Sequence, residues 1–356
     1  MNMDWSSFLL ENQPYALGGP VALATLRAEP EDFRVDELSG FEPSGEGEHL
    51  FLQVQKRNQN TAWVAGLLAR AAGLREDAVS YAGLKDRRAI TSQWFSLHIP
   101  DRQLPDLSAA WNEDVQLLAQ TWNARKLKRG AHQGNRFEIV LRDVEGDHAA
   151  IDARLQQIRD IGVPNYVGPQ RFGHDNANLP AGEAVLAGKP RRRLNHRETM
   201  GLSAIRSALF NAVLGERIRN ASWNAQLPGD VLMLDGRGSF FRPEAGDAAI
   251  APRVQLQEIH PTGPLPGRGP SAVSDEVLAL EQAVLQPAQE LLQALERFGV
   301  DGQRRALRLR VADLHWDRPD SGSLRLRFAL PSGAFATSLL RELVQLRESA
   351  NAIPVE

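Results

Sequence analysis

The 356-residue sequence contains no cysteine, so disulfide bonds and thiolate metal sites are excluded. It also lacks a run of about eighteen uninterrupted apolar residues, the length that a membrane-spanning helix needs. Its opening stretch, MNMDWSSFLLENQPYALGG, has no basic start, apolar core and small-residue cleavage site in the order of a secretory signal. These absences predict a cytoplasmic protein.

Several catalytic signatures are also missing. The eight histidines are scattered and none has a metal-ligand spacing on a predicted helix, so we expect no metal site. No G-x-S-x-G segment is present, which leaves Ser-His-Asp hydrolase chemistry without support. The segment GPLPGRGP is interrupted by proline and follows no predicted strand, which argues against a nucleotide-binding glycine loop.

The composition is that of a globular protein with one large or two medium domains: 42% of the residues are hydrophobic and 24% are charged. The net charge of -3 does not by itself indicate a nucleic-acid partner. Basic residues are nevertheless dense in ARKLKRGAHQGNR (124–136) and KPRRRLNHR (189–197). One such run usually forms a solvated face, but two of them strengthen the hypothesis of phosphate contacts.

Hydrophobic periodicity divides the chain into strand-rich ends and a middle of different character. Strands are predicted at EHLFLQVQKR, AVSYAGL, SQWFSLHI, NRFEIVLRDV, RRALRLRVADLHW and GSLRLRFALPSG. Helices are predicted at NTAWVAGLLARAAGL, DHAAIDARLQQIRDIG, SAIRSALFNAVLGERIRN, a segment that Ser274 caps and Pro287 splits, and the terminal AFATSLLRELVQL. The distribution predicts a discontinuous catalytic domain with an insert.

The stretch YAGLKDRRAITSQWFSL contains the main candidate for chemistry, Asp86. Lys85, Arg87 and Arg88 can supply positive charge that favours the ionised carboxylate, and an ionised carboxylate is a nucleophile or a base. The alternative is a turn aspartate that joins two strands, which is a common role. The local pattern does not decide between them.

Three separate stretches resemble the TruD family of tRNA pseudouridine synthases. AGLKDRRAITSQW is similar to the family's catalytic-aspartate motif, GVPNYVGPQRFG to its N-Y-F-G-x-Q-R-F-G motif, and LPSGAFATSLLREL to its L-P-[AS]-G-x-[FY]-A-T motif. EPEDFRVDE and LKRGAHQGNRFEIVLR are similar to further family segments, so the resemblance covers nearly the whole chain. Val167 replaces the usual phenylalanine of the second motif, and we expect this change to affect packing.

The resemblance implies a tRNA pseudouridine synthase that isomerises uridine, with position 13 in the D arm of tRNA as the expected target. Such an enzyme breaks the C1′–N1 glycosidic bond, turns the uracil and rejoins it through C5, without an external cofactor. By similarity Asp86 is the essential carboxylate. Two roles remain open for it, nucleophile toward the sugar or the base, and base at C2′.

The family's substrate-contacting positions correspond to Phe33, Asn135 and Phe335. A target base must leave its stack to reach the carboxylate, and either aromatic ring can stack on it. The amide of Asn135 offers a donor and an acceptor to a uracil edge or a ribose. The alternatives are an ordinary core position for each phenylalanine and a turn position before a strand for Asn135.

The fold that the resemblance implies is of the α+β class. It consists of a pseudouridine synthase core with a mixed or antiparallel sheet and helices, plus an inserted TRUD-type α/β domain. We expect the core in residues 1–160 and 310–356, the insert in residues 161–309, and the active-site cleft between them. The implied partner is tRNA, with no metal and no membrane, and we expect a monomer.

Alternative interpretations remain for the function and for the second motif. The same scaffold could serve a non-catalytic RNA-binding or RNA-folding protein, or an RNA hydrolase or glycosidase, although the KDRR segment offers no second carboxylate for hydrolysis. In NYVGPQRFG, Tyr166 and Phe172 can pack against the core, or Gln170 and Arg171 can face an RNA backbone. We favour the packing role for this motif.

Overall fold

The computed structural model describes residues 3–190, 194–244 and 246–347. The strands in these ranges are β1 (Ala22–Leu26), β2 (Phe33–Leu38), β3 (His49–Arg57), β4 (Val79–Tyr81), β5 (Ile90–His98), β6 (Val115–Asn123), β7 (Gly134–Gly146), β8 (Val163–Pro164), β9 (Leu232–Leu234), β10 (Phe240–Phe241), β11 (Ile259–Leu265), β12 (Gln303–Ala306), β13 (Arg308–Leu309), β14 (Ala312–Asp317), β15 (Leu324–Pro331) and β16 (Val344–Leu346). The α-helices are α1 (Thr61–Ala71), α2 (His148–Ile161), α3 (Asn178–Ala187), α4 (His196–Arg219), α5 (Ile250–Gln255), α6 (Asp275–Leu285), α7 (Gln289–Arg297) and α8 (Ala336–Leu343).

A ten-stranded mixed sheet forms the framework of the protein. Its main path runs β14-β15-β7-β2-β5-β3-β6, while β1 pairs with β7 and β16, and β4 pairs with β5. The β2–β5 and β1–β16 pairs are parallel and the others are antiparallel. Every strand of this sheet lies within residues 22–146 or 312–346, so the two ends of the chain build it together. The predicted α+β class is confirmed.

Helices α2 and α8 cover one part of the large sheet. Apolar side chains of α2, such as Leu155 and Ile158, join the cluster that contains Ile139 of β7 and Leu339 of α8. The alternation of β2 sends Phe33, Val35 and Glu37 inward and leaves the residues between them exposed, as the period of two predicts for a half-buried strand. A second cluster, between α1 and strands β3 to β6, supports the other end of the sheet.

The segment between α2 and β14 has its own helices and a small sheet. Helix α4 begins with a capping box, in which the Asn195 side chain accepts from the Glu198 amide at 2.9 Å and the Glu198 carboxylate accepts from the Asn195 amide at 2.9 Å. It packs on α3 and α6, and β10-β9-β11-β12 form a four-stranded sheet beside it. Phe8 of the N-terminal segment lies in the same helical cluster. No helix in the described residues has the length and apolar character needed to span a membrane.

Three local predictions need correction. RRALRLRVADLHW is not one strand, because it splits into β12, β13 and β14, which pair with β11, β8 and β15 in three different sheets. The terminal helix α8 stops at Leu343, and the chain continues as β16 because Val344 pairs with Ala22 of β1. Ser274 holds the N-cap position of α6, but its hydroxyl donates to the Asp275 carboxylate at 2.7 Å and not to the helix backbone.

Candidate active site

A pocket of about 520 Å³ lies where the large sheet meets the second and third sequence motifs. It brings together the four residues that the sequence singled out, although they come from distant parts of the chain. These residues are Phe33, Asp86, Asn135 and Phe335. Arg27, His132, Gln170, Arg171 and Thr337 also line it.

Asp86 lies in the loop between β4 and β5 with 42% of its side chain exposed. Its carboxylate forms an ion pair with Arg27, in which the Nη2 and Oδ2 atoms are 3.1 Å apart. The backbone carbonyl of Asp86 accepts from Nζ of Lys56 at 2.8 Å, and the same ammonium donates to the carbonyl of Gln59 at 2.7 Å. Lys56 therefore holds the loop through the backbone carbonyl of Asp86, and the Asp86 side chain lines the open pocket.

Lys56 is an unusual support because its side chain is buried, with a residue exposure of only 1%. Burial lowers the pKa of this lysine to about 8, while the negative charge of Asp86 opposes that shift. A buried ammonium requires hydrogen-bond acceptors, and the carbonyls of Gln59 and Asp86 are two of them.

The ion-pair partner of Asp86 is Arg27, which the sequence pattern did not indicate. The only signal available was a basic residue shortly before the EPEDF segment. Arg27 follows the end of β1 with a φ of 58°, a left-handed backbone that is uncommon for residues other than glycine. Its guanidinium also lies 4.0 Å from the ring centroid of Phe33. Arg27 thus connects the first family-like segment with the aspartate motif.

Lys85 does not pair with Asp86, contrary to what its neighbouring position suggested. Its ammonium is 2.8 Å from Oε2 of Glu37 on β2, and the two side chains are only 4% and 1% exposed. Its backbone N–H donates to the hydroxyl of Thr61 at 3.0 Å. Lys85 therefore fixes the loop to the sheet through a buried ion pair, and the positive charge at the carboxylate comes from Arg27.

Three buried polar side-chain atoms without partners belong to residues that line this pocket. Oδ1 of Asn135, Oγ1 of Thr337 and Nδ1 of His132 are buried and have no hydrogen-bond partner among the described residues. Buried polar groups are satisfied in most folded proteins, so these atoms are available to water or to a polar ligand in the pocket. Burial and the charge of Lys85 lower the pKa of His132, which favours its neutral ring at pH 7.

The two aromatic candidates differ in accessibility. Phe33 is only 3% exposed; Arg27 lies over its ring, and its edge contact to Phe137 has a centroid distance of 6.2 Å. Phe335 is half-buried and immediately precedes α8. It packs beside Gly168, where an added Cβ would lie 3.7 Å from Cγ of Phe335. Phe335 is thus the more open ring for stacking, and Phe33 supports the floor of the pocket.

The second motif contains both buried residues and residues that line the pocket. Tyr166, Val167 and Phe172 are buried, which confirms the packing role. Gln170 and Arg171 line the pocket that contains Asp86. The Val167 backbone is held on both sides by the amide of one asparagine, Asn211, which accepts from its N–H at 2.9 Å and donates to its carbonyl at 3.0 Å. Val167 therefore belongs to the core, as expected for a packing change.

The two basic segments are only partly described. Residues 191–193, which include Arg192 and Arg193, lie outside the described ranges. Lys126 and Lys128 are exposed, and the ammonium of Lys126 donates to the carbonyl of Asp77 at 3.3 Å. Both side chains are therefore accessible to a polyanion.

Comparison with known proteins gives consistent matches over almost the entire chain. A family model described as tRNA pseudouridine synthase D (TruD) matches residues 10–198 and 192–343. The chain is 48% identical over 354 residues to the tRNA pseudouridine synthase D of Xanthomonas campestris pv. campestris (strain 8004), with 96% of each chain covered. It is 46% identical over 336 residues to the tRNA pseudouridine synthase D of Methylococcus capsulatus, with 94% of this chain and 95% of the relative covered.

A solved structure has the same fold. It is that of a putative tRNA pseudouridine synthase D (TruD) from Methanosarcina mazei, and it superposes with a TM-score of 0.71. The match covers 92% of this chain and 95% of the other at 21% sequence identity. At that identity the likeness concerns the arrangement of helices and strands, and the functional comparison depends on the closer relatives.

Proposed function

Since the chain belongs to the TruD family of tRNA pseudouridine synthases, we propose that it isomerises uridine 13 in the D arm of tRNA with Asp86 as the essential carboxylate. The protein is an isomerase that forms pseudouridine in tRNA. The target position is proposed from the family resemblance, and the roles of the side chains are supported by the pocket geometry. The observation that best supports the proposal is the ion pair between Asp86 and Arg27 at an open pocket.

The reaction places defined demands on the pocket. The C1′–N1 bond of uridine breaks, the uracil rotates, and a bond forms between C1′ and C5. The C5 proton leaves and N1 gains a proton, so the product has the same composition as the substrate. Asp86 acts either as the nucleophile that holds the sugar or base between these steps, or as the base at C2′. Arg27 orients the carboxylate and balances its charge before the substrate arrives.

Asn135 and Phe335 have matching roles in holding the uracil. The unpartnered Oδ1 of Asn135 can accept a hydrogen bond from the base, whose N3–H is present before and after the rotation. Phe335 offers its ring as a stacking surface for the extruded base. Phe33 supports the Arg27 guanidinium from below, which keeps the ion pair with Asp86 in place.

The first experiment maps the modified nucleotide. We expect the purified chain, incubated with an unmodified tRNA transcript that has uridine at position 13, to produce pseudouridine at that position and at no other uridine of the transcript. The matched control is the same transcript with cytidine at position 13. Modification at a different uridine would contradict the proposed position, and a transcript without any pseudouridine would contradict the proposed activity.

We further propose that residues 161–309 form the inserted domain and that the enzyme acts in the cytoplasm. The insert is supported by the sheet topology, since the large sheet takes its strands from both sides of this segment. Contacts between the segment and the core are also extensive, because Tyr166 and Phe210 share a cluster with Phe335. The insert therefore contributes directly to one wall of the pocket.

The exposed lysines provide a prediction about tRNA binding. We expect the double substitution Lys126→Ala and Lys128→Ala to weaken tRNA binding and to flatten its salt dependence. Each lost phosphate contact reduces the slope of log affinity against log salt by roughly 0.7 to 0.9, because fewer counterions are released. Titrations of tRNA binding at several salt concentrations measure this slope. The same expectation holds for Arg192 and Arg193, which lie outside the described residues.

A charge-matched control separates contact from net charge. Arg219 and Arg253 are partly exposed and each pairs with a glutamate, Glu216 and Glu258 respectively. The double substitution of these arginines by alanine removes the same two charges. A slope that is equal in the lysine variant and the wild type would show that Lys126 and Lys128 are only a solvated face.

A further inference from the structure

Arg171 has a half-buried guanidinium that pairs with no carboxylate of the described residues. It lies in the second motif and lines the pocket that contains Asp86 and Phe335. Among the described residues, its guanidinium makes one contact, from Nη1 to Sδ of Met200 at 3.8 Å, and no carboxylate lies within ion-pair distance. Burial lowers the pKa of Arg171 below its usual range. A half-buried guanidinium with a thioether as its only polar partner is poorly satisfied.

Three other arginines with buried side chains have good acceptors. Arg217 is 2.9 Å from the carboxylate of Asp230, and Arg304 is 2.7 Å from that of Glu281. Arg308 makes no ion pair among the described residues, but it donates to a histidine nitrogen and to two backbone carbonyls. A buried polar group is expected to be hydrogen-bonded. Arg171, at the wall of the candidate active site, has only a thioether as acceptor, so its missing acceptor is expected among the ligands.

Arg305 of β12 is a second arginine near the pocket whose hydrogen-bond partners are uncharged. Its Nε and Nη2 donate to the backbone carbonyl and the side-chain oxygen of Asn165 at 3.3 and 2.6 Å, and its Nη1 donates to the carbonyl of Gly333 at 3.1 Å. Among the described residues no carboxylate pairs with it. Burial and the positive charge of Arg171 lower the pKa of Arg305 to about 10, so the two guanidinium groups repel each other.

Arg305 contacts the turn that carries Phe335, and Arg171 lines the pocket beside that turn. The pocket of Asp86 and the neighbouring cleft that Arg305 lines share Ser332, Gly333 and Ala334. The turn is fixed by the left-handed backbone of Gly333, which has a φ of 80°, and by the Arg305 hydrogen bond to its carbonyl. A nucleotide whose base stacks on Phe335 therefore has its sugar and phosphates beside this turn.

We propose that Arg171 and Arg305 form a binding site for one phosphate of the RNA backbone next to the target uridine. The proposal rests on the proposed function, and it adds the part of the substrate that these cations recognise. A phosphate between the two guanidinium groups removes their mutual repulsion and occupies their free N–H donors. The planar fork of arginine suits phosphate oxygens. The pair positions the substrate and takes no part in bond making.

The test combines protein variants with RNA in which single phosphates are uncharged. Four versions of the tRNA are compared. In one, every phosphate is anionic; in each of the others, a single methylphosphonate replaces the phosphate 5′ of the target uridine, the phosphate 3′ of it, or a phosphate in a distant arm. Their dissociation constants are measured with the wild-type chain, Arg171→Gln and Arg305→Lys. Arg268→Gln serves as the charge-matched control, because Arg268 is exposed and pairs with Asp301 at 2.7 Å.

We expect one flanking methylphosphonate to weaken wild-type binding by about 10-fold or more, the usual loss for a hydrogen bond to a charged group. In Arg171→Gln the same methylphosphonate should weaken RNA binding by less than about threefold, because the guanidinium that binds this phosphate is already absent. In Arg268→Gln the loss should equal that of the wild type. The distant methylphosphonate should have the same effect on every protein. In Arg305→Lys, which keeps the charge but lacks the planar fork of arginine, the loss should lie between those of the wild type and Arg171→Gln.

The proposal is overturned if neither flanking methylphosphonate weakens wild-type binding. It is equally overturned if the flanking methylphosphonates weaken RNA binding by the same factor in the wild type, in Arg171→Gln and in Arg305→Lys.

Inorganic phosphate and pyrophosphate are included as competitors at constant ionic strength. Stabilisation by these anions in the wild type but not in Arg171→Gln, without any methylphosphonate effect, would assign the site to a free anion and reject the RNA phosphate. If the arginine substitutions and the methylphosphonate were coupled in binding but no pseudouridine formed, the proposed isomerase activity would be rejected and the proposed phosphate site would stand.

Discussion

Asp86→Asn is expected to lower the rate of pseudouridine formation by at least about 1000-fold, since an amide is neither a nucleophile nor a base at neutral pH. The affinity for tRNA should remain within a few-fold of the wild type, because the substitution keeps nearly the same shape. The stability cost should be about 1 kcal/mol or less, because the ion pair with Arg27 is partly exposed. Single-turnover assays and binding titrations on the same preparations measure both quantities.

Asp77→Asn is a suitable control for this experiment. Asp77 is an exposed carboxylate ahead of β4, its partner Arg75 is also exposed, and it lies outside the pocket. We expect this variant to retain wild-type activity. If Asp86→Asn kept a rate within about tenfold of the wild type, Asp86 would be a turn residue after all and the carboxylate chemistry would have to be assigned elsewhere.

Phe335→Ala is expected to lower kcat/KM for tRNA by roughly 10-fold to 100-fold while the protein melts close to the wild type. Loss of a stacked base costs about 1 to 3 kcal/mol of interaction. A core phenylalanine truncated to alanine costs about 3 to 5 kcal/mol of folding free energy instead. Phe335 is half-buried and lines the pocket, so we expect the first pattern. Phe335→Tyr should retain much of the activity because it preserves the aromatic face.

Phe328→Ala provides the matched comparison for Phe335→Ala. Phe328 lies on β15, is 1% exposed and stacks on Phe137 with a centroid distance of 5.2 Å. We expect Phe328→Ala to lose about 3 to 5 kcal/mol of folding free energy, the cost of truncating a core phenylalanine. Thermal melts and kcat/KM are measured for both variants. A large drop in melting temperature for Phe335→Ala, together with normal specific activity of its folded fraction, would place Phe335 in the core.

The sequence predicted those parts of the fold that depend on local periodicity. The alternation in β3, β5 and β7 and the helical spacing of α1 and α2 are visible in short windows, because side chains repeat every two residues in a strand and about every 3.6 in a helix. Pairing between distant segments is not visible in this way. The split of RRALRLRVADLHW among three sheets depends on β15, the next strand in the chain, and on β8 and β11, which lie far away in the chain.

The same limit applies to the pocket. The resemblance pointed to Asp86, Asn135 and Phe335, but neighbours in sequence were poor guides to neighbours in space. Lys85 is adjacent to Asp86 in the chain, yet it pairs with Glu37 on another strand. Arg27 precedes Asp86 by many residues and supplies the charge at its carboxylate. An ion pair depends on the folded distance between charged atoms, which only the three-dimensional structure provides.

The parallel pair of β1 and β16 joins a segment that the ribosome makes early to one that it makes much later. Strand β15, which lies between β7 and β14 in the sheet, is made after the helices α3 and α4. These helices therefore leave the ribosome while the large sheet is still incomplete. The loop of Asp86 is made before them and Phe335 after them. A nascent chain that ends before Phe335 thus lacks one wall of the candidate pocket, so the candidate site is completed only after both helices have been made.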